Sequence, residues 1–255
     1  MKPYAEIMFG DFITLAFDQI INHASKFHHI YNGKVTCPVV IRTPMGGRRG
    51  YGPTHSQTLD KFLIGIDNVV TLAINTFIDP SIIYESAHKE NKPVIVIENK
   101  VDYGKKVGAY QSTNFSAIMS NCNYPIVKIT PIKTTPSITI VSYGSSADWV
   151  SESLEAIFRE TDLIPELIIL TKIHPIDYSE VLNSIKKTRK LIVIEEGSIS
   201  GGIGSEIIAS VNELNEYPII TRRLGALEVP IPSVKSLENS VLPNIESLIK
   251  LIKSI

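Results

Sequence analysis

Continuous apolar runs that alternate with helical patterns are the feature that most limits the fold of this chain. The segment 94–97 reads Val-Ile-Val-Ile and the segment 191–194 reads Leu-Ile-Val-Ile, so neither leaves a polar face. A strand without a polar face has to be covered on both sides, as in a parallel sheet with helices on each face. We therefore predict an α/β fold of two domains with mostly parallel sheets covered by helices.

The same reading places the elements along the chain. We predict strands at 5–9, 37–42, 68–74, 93–98, 137–142, 167–170, 191–195 and 217–220. We predict helices at 13–31, 59–66, 80–88, 147–159, 178–188, 203–214 and 245–255. Periodicity fades between 102 and 136, where Asn, Ser, Thr, Tyr and Pro accumulate, so we predict an interdomain connection there. The predicted domains are 1–125, with the linker, and 126–255.

Composition excludes several classes of protein. The 255 residues carry a net charge of −1 and contain no basic block, which argues against nucleic acid and anionic membranes as partners. The two cysteines, Cys37 and Cys122, are not in a paired metal or redox spacing, which favours a reducing compartment. The start of the chain has no signal-peptide layout, and no apolar run approaches the ~20 residues of a membrane helix. We expect a soluble, cytoplasmic protein.

A glycine-rich loop between residues 43 and 58 is the main candidate for a functional site. It follows a predicted strand, which is where open α/β sheets place ligands, and it carries two arginines. We predict that a helix follows the loop and that His55 lies in its first turn. Its glycines, at 46, 47, 50 and 52, allow positive φ and a close approach of the backbone to a ligand. Histidine is the side chain best suited to proton transfer near neutral pH. The alternative is a surface loop with a solvated histidine at the start of a helix.

Several motifs together resemble a known family. They are Ala-Glu-Ile-Met-Phe-Gly-Asp-Phe at 5–12, Asp-Gln-Ile-Ile-Asn-His-Ala at 18–24, Ile-Arg-Thr-Pro-Met-Gly-Gly at 41–47, Gly-Pro-Thr-His-Ser-Gln at 52–57, Pro-Val-Ile-Val-Ile-Glu-Asn at 93–99, and the segments 195–206 and 223–232. In this order they resemble the beta subunit of thiamine-diphosphate-dependent 2-oxo acid dehydrogenases, of the pyruvate, acetoin and branched-chain type. The resemblance covers nearly the whole chain. It implies a partial pyrimidine-binding domain of the transketolase superfamily, followed by a transketolase C-terminal domain.

The resemblance also implies site residues. Met8 and Phe12 match positions that line the aminopyrimidine pocket of thiamine diphosphate, where an aromatic side chain stacks on the heterocycle. Ordinary core packing is the alternative for both. His55 matches a histidine that faces the reacting group, where it would donate to a developing oxyanion or carry a proton.

A structural potassium ion in some relatives corresponds to Val39, Ala87, Glu90 and Lys92 here. Carbonyl ligands do not depend on the side chain, so Val39 and Ala87 would still serve. Lys92, however, places a cation where relatives often carry Asn or Asp.

The resemblance implies that the chain needs a partner. In the family, an upstream half of the pyrimidine domain holds the glutamate that activates the cofactor, and the alpha subunit holds Mg²⁺ and the diphosphate. We expect an alpha-type chain to supply both, and a lipoyl acyltransferase as a further partner. The expected reaction is decarboxylation of a 2-oxo acid and acyl transfer to a lipoyl-type acceptor. An inert scaffold or relic and a split transketolase-like enzyme are the alternatives.

A second glycine cluster lies at 197, 201, 202 and 204 and opens a predicted helix. Its spacing is not that of the dinucleotide-binding fingerprint, and no acidic partner for a ribose follows about 20 residues later. We predict a tight turn between a strand and a helix.

Overall fold

The computed structural model describes residues 1–108 and 110–255. The strands are β1 (Tyr4–Glu6), β2 (Val40–Pro44), β3 (Val70–Ala73), β4 (Val94–Glu98), β5 (Phe115–Met119), β6 (Val127–Pro131), β7 (Ile138–Tyr143), β8 (Pro165–Leu170), β9 (Lys172–His174), β10 (Lys190–Ser198) and β11 (Ile220–Ala226). The α-helices are α1 (Phe27–Ile30), α2 (Pro80–Lys89), α3 (Ser146–Glu152), α4 (Leu154–Thr161), α5 (Ser179–Thr188), α6 (Ile203–Leu214), α7 (Lys235–Val241) and α8 (Ile245–Ile252).

These strands form two sheets, which confirms the predicted α/β class. The first sheet has the order β1-β2-β4-β3-β9, and only β9 runs antiparallel to its neighbour. The second sheet has the order β11-β10-β7-β8-β6-β5, in which the first four strands are parallel and the last two antiparallel. The apolar run in β4 accounts for its central place, because Val94, Ile95 and Val96 are each 0% exposed.

Local signals fix the helices that cover the sheets. Asp79 caps α2 by accepting a 2.9 Å hydrogen bond from the Ser81 N–H, and Pro80 occupies the first helical position. Asn244 and Ser247 form a reciprocal capping box at the start of α8. No helix within the described residues is long and apolar enough to cross a membrane.

The two sheets share a core rather than standing apart. Leu72 in the first sheet and Ile129 and Ile140 in the second are fully buried in one apolar cluster. In addition, β9 follows β8 of the second sheet after a single residue and pairs with β3 of the first sheet. The second domain therefore contributes a strand to the first.

Two helix predictions in the first half were wrong. The predicted helix 13–31 is broken into a 3₁₀ helix (Gly10–Ala16), a π helix (Gln19–Ala24) and the short α1. Ser25 donates from its hydroxyl to the Ile21 carbonyl at 2.7 Å, a side-chain bond that competes with the helical ladder. The predicted helix 59–66 is only a 3₁₀ turn (Asp60–Phe62), after which Gly65 takes a positive φ of 74°.

The prediction of the linker and that of one strand also needed correction. The predicted linker, 102–136, contains both β5 and β6, and both strands pair in the second sheet. In β5 only Phe115 is buried, so the strand lacks the continuous apolar run that is typical of a buried strand. The predicted strand 217–220 is displaced to β11, an edge strand whose exposed and part-buried residues include two arginines. Ala109, in the predicted linker, lies outside the described residues.

Candidate functional site

The candidate site lies where the carboxyl ends of three parallel strands meet. Phe9 and Phe12 follow β1, His55 lies in the loop that follows β2, and Lys100 follows β4. These strands are neighbours in the first sheet. The site is therefore at the edge of the sheet where α/β proteins bind ligands.

His55 is placed between two aromatic rings. Its ring centroid is 4.8 Å from that of Phe9 and 5.3 Å from that of Phe12, with interplanar angles of 86° and 90°. These are edge-to-face contacts, the arrangement that aromatic quadrupoles favour. Nδ1 of His55 lies 3.0 Å from the hydroxyl of Thr54, and the side chain is half-buried. The ring is thus oriented by its neighbours while part of it stays accessible.

The structure places the predicted cofactor residues at the surface of this site. Phe12 is 40% exposed and contacts His55, so the structure brings these two together. Met8 is 65% exposed and directly precedes Phe9. Core packing, the alternative for Met8 and Phe12, does not explain two large apolar side chains that are left open to solvent.

His55 is not at the start of a helix, contrary to the prediction. It lies in a turn that follows Pro53, and its N–H donates to the Gly52 carbonyl at 3.3 Å. Gln57 fixes the position of the end of the loop. Its carbonyl accepts a 3.2 Å hydrogen bond from the Gly46 N–H. The end of the loop is thereby folded back onto its beginning.

Sequence reasoning missed the side chains that surround Phe9. Nζ of Lys100 lies 3.3 Å from the centroid of the Phe9 ring, and Tyr51 makes an edge contact with the same ring at 5.7 Å. The Arg49 guanidinium lies over Tyr51 and donates to the Lys100 carbonyl at 2.8 Å. Two cations stacked on aromatic rings border the histidine. In the sequence, only the aromatic character of Phe9 itself pointed to these contacts.

The glycines of the loop bring its backbone close to the C-terminal domain. A Cβ on Gly46 would lie 2.5 Å from Oε1 of Glu196, and one on Gly47 would lie 2.9 Å from Leu242. A Cβ on Gly50 would lie 2.9 Å from the Ser233 carbonyl oxygen. Gly46 and Gly50 also have positive φ values, of 101° and 71°. Larger residues would push the loop away from the second domain.

A charged network fixes the strand ends beside the site. Arg42 bridges Glu6 and Glu98, with its nitrogens 2.9 and 2.7 Å from the respective carboxylates. Tyr84 and Tyr103 both donate to Glu98. Burial opposes ionisation of Glu98, but the hydrogen bonds from Arg42 and the two tyrosines outweigh it and hold its pKa below the ordinary value. The network locks β1, β2 and β4 together.

Buried acids lie beneath the loop, between the two domains. The Tyr143 hydroxyl donates to Asp60 at 2.7 Å, and burial raises the pKa of Asp60 to about 6. Glu195 is 0% exposed; burial, followed by the charge of Asp60, raises its pKa to about 8. Both carboxyls therefore favour the protonated form more than an exposed acid does.

The residues proposed for a potassium ion do not fit an added cation. The Ala87 carbonyl accepts the Glu90 N–H at 3.2 Å, and the Val39 carbonyl accepts the Val94 N–H at 2.9 Å. The ammonium of Lys2 already lies at this helix end, donating to the carbonyls of His88 and Glu90. Lys92 adds a further cation in the chain nearby. Among the described residues there is no cluster of three or more His, Cys, Asp or Glu that would hold a metal.

Comparison with known proteins places this chain in a family. Residues 1–106 match the family described as transketolase, pyrimidine binding domain, and residues 127–248 match transketolase, C-terminal domain. Over 261 aligned residues the chain is 30% identical to the pyruvate dehydrogenase E1 component subunit beta of Gracilaria tenuistipitata var. liui, covering 100% of this chain and 77% of the relative. The chain belongs to the pyruvate dehydrogenase E1 beta family. The predicted resemblance is thereby confirmed.

Other members of the E1 beta family align over the same length. The mitochondrial subunit beta-1 of Arabidopsis thaliana is 29% identical, covering 98% of this chain and 68% of the relative. The mitochondrial subunit beta of Saccharomyces cerevisiae is 28% identical, with 100% and 69% covered. A solved structure titled "Split gene transketolase, inactive beta4 tetramer" superimposes with a TM-score of 0.70, covering 99% of this chain and 75% of that chain. At 18% identity that likeness shows the fold alone.

Membership of the E1 beta family implies thiamine diphosphate as the cofactor. The residues present fit its heterocyclic end, because Phe12 and Met8 offer exposed apolar surface beside a half-buried histidine. Flat aromatic ligands bind to surfaces of this kind by stacking.

Proposed function

We propose that this chain is the beta-type component of a thiamine-diphosphate-dependent 2-oxo acid dehydrogenase. The assembled enzyme would decarboxylate a 2-oxo acid and transfer the acyl group to a lipoyl-type acceptor. One observation carries the proposal: in an E1 beta chain, His55 stands between Phe9 and Phe12 at the carboxyl edge of the parallel sheet.

Each residue would have a distinct part in this site. Phe12 and Met8 would hold the aminopyrimidine ring, and the bound cofactor supplies the electron sink for loss of carbon dioxide. His55 would hold a proton or donate a hydrogen bond to an oxygen of the reacting group. Lys100 and Arg49 border the site with positive charge, which favours an anionic 2-oxo acid.

The proposal includes a partner chain. An alpha-type subunit would supply the sites for Mg²⁺ and the diphosphate. Support comes from the relatives, which are named as subunits of an E1 component. A lipoyl acyltransferase would receive the acyl group. A cytoplasmic location stays a prediction.

The test is a comparison of two histidine variants in the complex with the alpha-type subunit. We expect His55→Ala to lower acyl transfer by about 10²–10⁴, the usual effect of removing a general acid–base group, with little change in cofactor affinity. The control is His23→Ala, since His23 packs against Phe27 on the N-terminal helical segment. Acyl transfer is followed on a lipoyl domain and cofactor binding by titration calorimetry.

The same assays separate the alternatives. Equal turnover of the two variants would reject the role of His55. A complex that turns over ketose donors instead of 2-oxo acids would be a transketolase-like enzyme. If this chain binds the alpha-type subunit but the complex turns over neither class of substrate, the chain would be a scaffold.

A further inference from the structure

Two carboxylates of the C-terminal domain hold the clasped loop, by which we mean residues 46–52. The Gly47 N–H donates to Oε1 of Glu196 at 2.7 Å. The N–H groups of Arg48 and Gly50 donate to the two oxygens of Glu238, at 2.8 and 3.1 Å. A single carboxylate thus bridges the main chain on both sides of Arg49. These donors lie about 190 residues from Glu238 in sequence.

The backbone of the clasped loop is shaped for an anion. Gly46, Arg48 and Gly50 all have positive φ, of 101°, 69° and 71°, and left-handed residues of this kind direct successive N–H groups toward one concave side. Arg48 is not a glycine, so its left-handed backbone needs stabilisation by its surroundings. The concavity that would suit a phosphate is here filled by the protein's own carboxylates.

Both carboxylates are buried, so their hydrogen bonds are essential. Glu238 is 0% exposed and Glu196 is 6% exposed. Buried anions are stable only when charges or hydrogen bonds compensate for lost hydration. Besides the loop N–H groups, Glu196 has the Arg48 guanidinium, with Nε 3.7 Å from its Oε2, and the hydroxyl of Ser145 at 3.2 Å. Arg48 also donates to the Pro243 carbonyl at 2.8 Å. Backbone and carboxylates therefore stabilise each other.

We propose that Glu238, assisted by Glu196, is a positioning residue that sets the clasped loop so that His55 meets Phe9 and Phe12. The loop ends three residues before His55, and the His55 N–H binds the carbonyl of its last residue, Gly52. A shift of the loop would therefore move the histidine. The inference rests on the proposed function only for its catalytic consequence; the positioning itself is a property of the chain without cofactor.

The experiment measures the loop in the full chain without cofactor or partner. Glu238→Gln replaces one acceptor oxygen by an amide donor, so one of the two N–H groups loses its partner. The control is Glu213→Gln, which changes the same kind of side chain at an exposed position of α6. We measure hydrogen–deuterium exchange of the loop amides and the rate at which diethyl pyrocarbonate modifies His55.

For Glu238→Gln we expect exchange in the loop to rise by about tenfold, as for loss of a buried hydrogen bond, with no change in β10. We expect faster modification of His55 as well, and neither effect in Glu213→Gln. Glu238→Asp keeps the carboxylate but shortens the side chain, so its loop exchange and His55 modification rate should lie between those of the parent and of Glu238→Gln. This variant also serves as the test if Glu238→Gln does not fold. Loop exchange and His55 reactivity equal to those of the parent in both Glu238 variants would overturn the proposal.

A kinetic measurement in the assembled enzyme then tests the consequence. We expect Glu238→Gln to lower kcat with little change in cofactor affinity, because His55 is displaced while Met8 and Phe12 stay in place. If the complex has no 2-oxo acid activity, the proposed function fails, and the exchange result still decides whether Glu238 positions the loop.

Discussion

Gln57 donates a 2.8 Å hydrogen bond from Nε2 to Oδ1 of Asp11, and its backbone N–H reaches the same oxygen at 3.3 Å. Asp11 directly precedes Phe12, and Gln57 follows His55 by two residues. One carboxylate oxygen therefore fixes the distance between the two segments that carry the ring and the histidine. Asp11 is 9% exposed, so water competes little for this bond.

We predict a measurable coupling energy between Asp11 and Gln57. In a double-mutant cycle with Asp11→Ala and Gln57→Ala, the free energies of urea unfolding should differ from additivity by about 1–2 kcal/mol, as for a buried hydrogen bond to a charged group. The matched control is Asp18 with Asn22, an exposed carboxylate–amide bond of 2.8 Å, for which about 0.2–0.5 kcal/mol is expected. Additive effects at Asp11 and Gln57 would contradict the prediction.

The aromatic contacts of His55 predict a ring-current effect on its signals. In ¹³C-labelled histidine spectra of the free chain, Phe9→Leu and Phe12→Leu should each move the ring protons of His55 toward random-coil positions. The control is Phe27→Leu, which should move only His23, since those two rings lie 6.0 Å apart. If neither substitution changes the chemical shifts of the His55 ring protons, the two phenylalanine rings do not contact His55 in solution.

The Lys2 ammonium donates to carbonyls at the C-terminal end of α2, so we predict that this helix end needs no added cation. Replacing Na⁺ by K⁺ at constant ionic strength should leave the melting temperature of the parent unchanged. Lys2→Ala should reduce the free energy of unfolding by about 0.3–1 kcal/mol, because a cation near a helix C-terminus is stabilising. The control is Lys34→Ala, at an exposed position. A rise in melting temperature specific to K⁺ would show that the chain does bind the ion.

The raised pKa of Glu195 predicts a pH-dependent stability. Since its folded-state value of about 8 exceeds that of an exposed glutamate, folding favours the protonated form, and its contribution is lost as pH rises from about 4.5 to 8. Between pH 5 and pH 8, ionisation of this group should lower the free energy of unfolding by on the order of 3 kcal/mol. Glu195→Gln should remove this part of the slope and leave the smaller part that Asp60, with a pKa of about 6, contributes, whereas the exposed Glu213→Gln should keep both. Urea unfolding at several pH values measures both, and an unchanged slope in Glu195→Gln would exclude Glu195 as its source.

The elements that local pattern defines were predicted best. The Val-Ile-Val-Ile run of β4 requires cover on both faces in any fold, so its place inside a parallel sheet followed directly. The helix 203–214 was predicted at its observed bounds, and the turn before it packs Gly202 against Glu195, as only a glycine allows. The predicted strand-to-helix turn is thus confirmed.

The contacts that depend on distant residues were not predictable in the same way. Glu238 lies in α7, whose sequence resembles an ordinary surface helix, yet its carboxylate is fully buried against the clasped loop. Nothing within a local window indicates a partner about 190 residues away. For the same reason, the sequence did not indicate that the glycines at 46–52 lie close to the opposite domain. Motif resemblance supplied His55 and Phe12, but not Phe9 or Lys100.

The crossing of β9 into the first sheet has a consequence for any attempt to divide the protein. Residues 172–174 pair with β3, and the Thr171 carbonyl accepts from the Ala73 N–H at 2.8 Å. An N-terminal fragment that ends near residue 125 would therefore lack the edge strand β9, and the hydrogen-bonding groups of β3 would be exposed to solvent. The fragment would be prone to aggregate through that edge. The halves of this chain are consecutive in sequence but interlocked in space, so neither can be excised intact.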